Sequence, residues 1–100
     1  MLLLSTPALA AQPYHCSADA VTRAKKLLAL HFGEDARIEI DQSVSTLKPI
    51  KNPADQSQLF DVLEVWGYIY KGRYRMHFIY AREQNECVLM GQEILEFAKL

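Results

Sequence analysis

Glu64, Arg75 and His77 place a carboxylate, a guanidinium and an imidazole within one short stretch of chain. Such a set can take a proton from a hydroxyl, hold a phosphate and protonate a leaving group. Arg73 adds a second cation, and Trp66 or Tyr68 offers a ring on which a base could stack. The other reactive groups are Cys16 and Cys87, the two cysteines of a 100-residue chain. In an oxidising compartment such a pair reads as one disulfide. It would close a loop of about 70 residues and stabilise the fold by roughly 4 kcal/mol. The competing reading is a metal site made of His15, Cys16, His31 and Cys87. Zinc ligands usually come as close pairs such as Cys-x-x-Cys, and this chain has none. The disulfide is therefore expected, with no metal and no other cofactor. A nucleophile elbow, a phosphate loop and a dinucleotide fingerprint are all missing, and the four glycines are widely scattered.

The compartment is read from the start of the chain. Met1 to Gln12 resemble the second half of a secretory signal, with an apolar run, Pro7, and Ala8-Leu9-Ala10 as an Ala-x-Ala cleavage site. The run is far shorter than the roughly 20 residues that cross a bilayer, so no membrane span is expected. The expectation is a periplasmic or secreted bacterial protein, with residues 1–12 a disordered remnant and 13–100 a single domain.

The elements that must position the reactive groups follow from periodicity. Ser17 or Asp19 can cap a helix running to Phe32. Ala20, Val21, Ala24, Leu27, Leu28, His31 and Phe32 recur at three- and four-residue spacing and make its apolar face. Gly33 provides the stop. Ala36, Ile38 and Ile40 alternate with charged residues, which predicts a half-buried strand that could continue through Val44 and Leu47. Lys48 to Ser57, with two prolines and mostly polar residues, reads as a loop. Leu59 to Tyr70 and Arg73 to Arg82 are rich in Val, Ile, Phe, Tyr and Trp and form a hairpin. A last strand is expected from Cys87 to about Gln92, followed by an irregular or helical tail, with continuation of the strand as the alternative. One helix ahead of tightly connected strands points to an α+β domain. Its helix packs on one face of a three- or four-stranded antiparallel sheet.

Hairpin register decides which side chains share a face. A Lys71-Gly72 turn pairs Tyr70 with Arg73 and places Leu63, Val65, Gly67 and Ile69 with Tyr74, Met76, Phe78 and Tyr80 under the helix. Trp66, Tyr68 and Tyr70 then share the open face with Glu64, Arg73, Arg75, His77 and Ile79. A bulged three-residue loop would instead turn Glu64 inward, and burying it unpaired costs several kcal/mol. Tyr, Trp and Arg are the residue types that anchor interfaces. Cross-strand aromatic–cation pairs also clad ordinary sheets.

Eleven Lys and Arg against twelve Asp and Glu give a net charge of −1. That balance lacks the basic excess of a nucleic-acid binder, so no nucleic acid is expected as a partner. Two family resemblances bear on function. The element order from Ser17 to Met90 resembles small exported bacterial domains with one helix on a curved antiparallel sheet, the cystatin-like outline. No Gln-x-Val-x-Gly motif is present, so protease inhibition is not implied. The set Glu64, Arg75 and His77 is similar to that of secreted microbial ribonucleases, which use a Glu base, a phosphate-holding Arg and a His acid on an open sheet. In those enzymes the His comes from a late loop, whereas His77 lies mid-strand. A third alternative is a ligand pocket lined by Leu28, Met76, Phe78 and Tyr80, residues that equally make a core. The leading expectation is an interaction module without catalytic machinery. It would bind a protein or peptide, or a second copy of itself, through Trp66, Tyr68, Tyr70, Arg73, Arg75 and His77.

Overall fold

The computed structural model describes residues 15–34, 37–83 and 85–97. The signal-like segment 1–12 and the final residues 98–100 lie outside them. Helix α1 spans Ser17–Phe32 and is followed by strands β1 (Ile38–Ile40), β2 (Ser45–Asn52), β3 (Asp55–Ile69), β4 (Gly72–Ala81) and β5 (Val88–Phe97). The strands form one antiparallel sheet in the order β1-β3-β4-β5, with β2 also paired to β3. A single helix packed on an antiparallel sheet is the α+β class expected, with five strands rather than three or four.

The helix is bounded as the spacing predicts, but neither Ser17 nor Asp19 caps it. Cys16 occupies the N-cap position and makes no side-chain cap bond, while Gly33 ends the helix at φ 83°. Asp19 is drawn elsewhere: its carboxylate accepts from Arg23 Nε at 2.6 Å and from the Tyr80 hydroxyl at 2.8 Å. Ala20, Ala24 and Leu28 are fully buried against Leu63, Val65, Met76, Phe78 and Tyr80. Two alanines one turn apart let the helix approach closely. Gly67 completes the fit, since a Cβ there would lie 2.9 Å from the tip of Leu28 and 3.0 Å from that of Met76. His31 and Phe32, expected on the apolar face, are exposed; the Phe32 ring lies against the Tyr74 ring, 4.6 Å away.

The segment read as a loop is a hairpin. β2 returns as β3 through Pro53 and Ala54, where Asn52 Oδ1 accepts from the Ala54 amide at 2.9 Å. The Asn52 amide also donates to Gln58 Oε1 at 2.7 Å. Its polarity has a physical cause. β4 begins pairing at Phe60, opposite Ala81, so residues 55–59 pair only with β2 and both faces of this ribbon meet water. Pro49 is tolerated because it lies at a register shift on an edge strand. The break at residues 41–44 makes two strands of one edge; there the Asp41 carboxylate accepts from the Ser43 amide at 2.8 Å.

The β3–β4 hairpin turns on Tyr70 and Lys71, not on Lys71 and Gly72. Ile69 pairs with Gly72, Tyr68 with Arg73, Trp66 with Arg75 and Glu64 with His77, two residues away from the expected register. Tyr70 takes φ 55°, with Arg37 and Lys71 each within 6 Å of its ring centre, at 5.6 and 5.7 Å. Gly72 is used for closeness rather than for the turn: a Cβ there would fall 2.5 Å from the Tyr74 hydroxyl. Because side chains alternate with period two, a two-residue shift leaves every one on its expected face. Glu64 therefore stays out of the core without the Lys71-Gly72 turn.

β5 continues as a strand to Phe97 in place of the irregular or helical tail. Its alternation places Gln92, Ile94 and Glu96 on the helix side and Glu93, Leu95 and Phe97 on the other. Ahead of it, Cys87 is bonded to Cys16 across 71 residues, with Cα atoms 5.7 Å apart. The bond ties the start of α1 to the β4–β5 connection.

Two stability measurements test this account. Replacing Cys16 and Cys87 with Ser should cost about 4 kcal/mol in urea unfolding, the loop-closure contribution of so long a separation. Tyr80→Phe should cost about 1–2 kcal/mol, because it removes the hydrogen bond to Asp19. Burial first, and Asp19 second, push the Tyr80 hydroxyl far above its ordinary range. It stays protonated in the fold where the unfolded chain ionises, so wild-type stability should fall above about pH 10. Tyr80→Phe should flatten that alkaline limb.

Candidate functional site

The face of the sheet turned away from α1 reads as ordered rows across the strands. The first runs Glu39, Tyr68, Arg73, Phe97, and the second contains Trp66, Arg75 and Leu95. Ser45, Glu64, His77 and Glu93 form the third, and Leu47, Val62, Ile79 and Gly91 the fourth. Five of the six residues expected on this surface, Trp66, Tyr68, Arg73, Arg75 and His77, are brought together here. Tyr70 is not in the rows; it forms the turn and stands 74% exposed beyond their end.

The first two rows interlock through rings and guanidinium groups. Arg73 lies over Trp66 with its Cζ 5.4 Å from the ring centre, and Arg75 lies over Phe97 at 5.7 Å. The Trp66 and Phe97 rings are themselves 5.6 Å apart. A cation above an aromatic face is held by the ring quadrupole and retains donors for an incoming group. Leu95 and Phe97, at the edge of this surface, are 47% and 36% exposed.

The third row is a hydrogen-bonded belt. His77 Nε2 meets Glu64 Oε2 at 2.8 Å and His77 Nδ1 meets Glu93 Oε1 at 2.8 Å. Trp66 Nε1 donates to the second oxygen of Glu64 at 3.0 Å. The side chains of Glu64 and His77 are only 17% and 16% exposed. Burial raises the Glu64 pKa, but hydrogen bonds from His77 and Trp66, with the charges of His77 and Arg75, outweigh it. The carboxyl is held below its ordinary range and is ionised at neutral pH. Glu64 and His77 face each other directly, both imidazole nitrogens lie against carboxylates, and Arg75 is turned to Phe97. This geometry clamps β3, β4 and β5 together through one imidazole held between two carboxylates.

Beyond the belt the face becomes apolar, with Phe60, Val62 and Ala81 buried. Register shifts in β2 and β5 flank the Asp61–Tyr80 pair at this level. Bulges of this kind sharpen the local twist of a sheet. The residues proposed to line a ligand pocket, Leu28, Met76, Phe78 and Tyr80, are fully buried in the core cluster.

Glu93, Leu95 and Phe97 were missed as site residues because their segment was read as an irregular or helical tail. The signal was there: Glu93, Leu95 and Phe97 alternate with Gln92, Ile94 and Glu96, a period of two. Of the residues weighed as metal ligands, His15, Cys16 and Cys87 are adjacent. His31 is in the last turn of α1 against Phe32, at the opposite end of the helix.

Comparison with protein-family profiles, curated proteins and solved structures returns no match. Among the described residues no helix is long and apolar enough to cross a membrane.

The belt makes a pH prediction. A carboxyl whose folded pKa is depressed stabilises the fold above its unfolded value, and that stability is lost as pH falls through the folded one. Glu64→Gln should therefore be less stable than wild type at neutral pH. The two should converge on acidification below about pH 4, followed by thermal unfolding across a pH series.

Proposed function

We propose that this chain is an exported interaction module that docks a protein or peptide partner, or a second copy of itself, on the open sheet face. Trp66, Tyr68, Arg73 and Arg75 are its anchors, Leu95 and Phe97 extend it, and His77 acts through the belt beneath. The observation that carries the reading is the pair of rows Tyr68–Arg73–Phe97 and Trp66–Arg75–Leu95, which no described element covers. Aromatic and Arg side chains on a rigid sheet lose little entropy on binding and are efficient anchors. Exposed apolar groups beside them form the sort of patch that marks contact sites. The Ala8-Leu9-Ala10 signature and the Cys16–Cys87 bond support an exported, periplasmic or secreted setting. The cystatin-like outline adds no activity of its own.

The test pairs Trp66→Ala with Arg75→Ala, and separately uses Leu95→Ser, which removes an exposed side chain at little cost to the fold. Sedimentation velocity over a concentration series reads self-association, and capture from the extracytoplasmic fraction of the native source reads other partners. Both variants should lose association while Leu95→Ser keeps the wild-type melting temperature. A wild type that stays monomeric and captures nothing beyond what the variants capture overturns the proposal. RNA hydrolysis by the wild type, abolished in Glu64→Gln, would replace it with the nuclease reading.

A further inference from the structure

The corner where α1 meets the β4–β5 connection holds more than a covalent staple. His15, Cys16 and Cys87 each bring one nitrogen or sulfur atom to within 4.8 Å of the other two. We propose that, once an external dithiol has reduced the Cys16–Cys87 bond, the two thiolates and the His15 imidazole bind one zinc ion at the start of α1. This site is separate from the open sheet face and does not depend on the reading given for it.

The chemistry balances simply. The dithiol gives up its two S–H bonds and becomes a disulfide. Its two electrons and two protons cleave the Cys16–Cys87 bond to a pair of thiols, and zinc then displaces the two thiol protons. Two thiolates and an imidazole are a borderline-soft donor set suited to zinc, with a fourth position left for water. Zinc–sulfur bonds of about 2.3 Å and zinc–nitrogen bonds of about 2.0 Å put tetrahedral donors roughly 3.5–3.8 Å apart. The three donor atoms already lie within 4.8 Å of one another, so separation of the two sulfurs and a short approach of the imidazole give the required spacing. The chain permits this, because Cys87 precedes β5 and lies outside the ladder.

Three further features favour a metal here. Cys16 is the N-cap of a 16-residue helix and no side chain caps that end. A thiolate at this position meets the positive end of the helix dipole. Cys16 is fully buried, which shields the sulfur from competing ligands, while His15 is exposed and gives an incoming ion its approach. The Glu86 carbonyl lies 3.3 Å from His15 Nε2 and 3.9 Å from Cys16 Sγ. It holds the ring beside the sulfurs, as outer carbonyls orient ligating imidazoles elsewhere.

The experiment uses the full chain, oxidised or reduced anaerobically with a phosphine, and titrates it with Co(II) as a spectroscopic stand-in before displacement by Zn(II). The reduced protein should take up one equivalent and develop a thiolate-to-cobalt charge-transfer band, and the oxidised protein should develop none. His15→Ala should keep the band but weaken binding at least about tenfold, since losing even a group that merely orients a ligand costs about 10–100-fold. Cys87→Ser should abolish the band. Zinc should also raise the melting temperature of reduced wild type, or restore its far-UV spectrum if reduction unfolds it, because binding to the fold is linked to folding. Unchanged affinity in His15→Ala, a stoichiometry other than one, or zinc without effect on melting and far-UV spectrum would each overturn the proposal.

Discussion

Burial of one side of the β3–β4 pair under α1 is the constraint from which the rest of the structure follows. Leu63, Val65 and Gly67 on one strand and Tyr74, Met76, Phe78 and Tyr80 on the other occupy that side, and nearly all are inaccessible to water. The helix meets them with Ala20, Ala24 and Leu28, a stripe narrow enough for the backbones to approach closely. Alternation then leaves no freedom for the residues between. Glu64, Trp66, Tyr68, Arg73, Arg75 and His77 must point the other way. The chemical character of the open face is thus a consequence of how the core is filled.

Those outward residues are not left to solvent individually. The belt of Glu64, His77 and Glu93 spans three neighbouring strands, and its central imidazole has a carboxylate on either side. The Trp66 indole joins it through the second oxygen of Glu64. A half-buried carboxylate with two donors and a nearby Arg75 is stable as an anion, which keeps the side chains around it in fixed positions. Beside this belt the aromatic and guanidinium groups are in contact with one another, Arg73 over Trp66, Arg75 over Phe97 and the two rings 5.6 Å apart.

The disulfide plays a different part. Cys16 and Cys87 lie where the helix begins and just ahead of β5, so the bond closes the corner of the core in which Cys16 is itself fully buried. Toward the opposite end of α1, Leu28 is buried in the core and Phe32 touches the Tyr74 ring. The Asp19 carboxylate, shared by Arg23 and the Tyr80 hydroxyl, adds a polar tie between helix and sheet close to the disulfide.

Much of this was legible in the chain itself. The helix from Ser17 to Phe32, the pairing of two cysteines and the two faces of the hairpin follow from periods of 3.6 and 2 and from a count of thiols. The face assignment survived a register two residues away from the one expected, because parity alone decides it. Other features needed the folded context. Lys48 to Ser57 is polar because the ribbon it builds is wet on both sides, which makes a strand look like a loop. The run from Gln92 to Phe97 carries Ile, Leu and Phe at spacings that suit either a helix or a strand, and pairing with β4 resolves it. The turn falls on Tyr70 and Lys71 while Gly72 lies against the Tyr74 side chain, a contact between side chain and backbone that no local propensity encodes. Glu93 completes the belt for the same reason: its carboxylate meets His77 only through a strand pairing made across the sheet. Sequence determined the helix, the central hairpin strands and the faces they present, since those depend on local repetition. Tertiary structure decided the register, the last strand and the partners of each charge, since those depend on which distant atoms come to lie side by side.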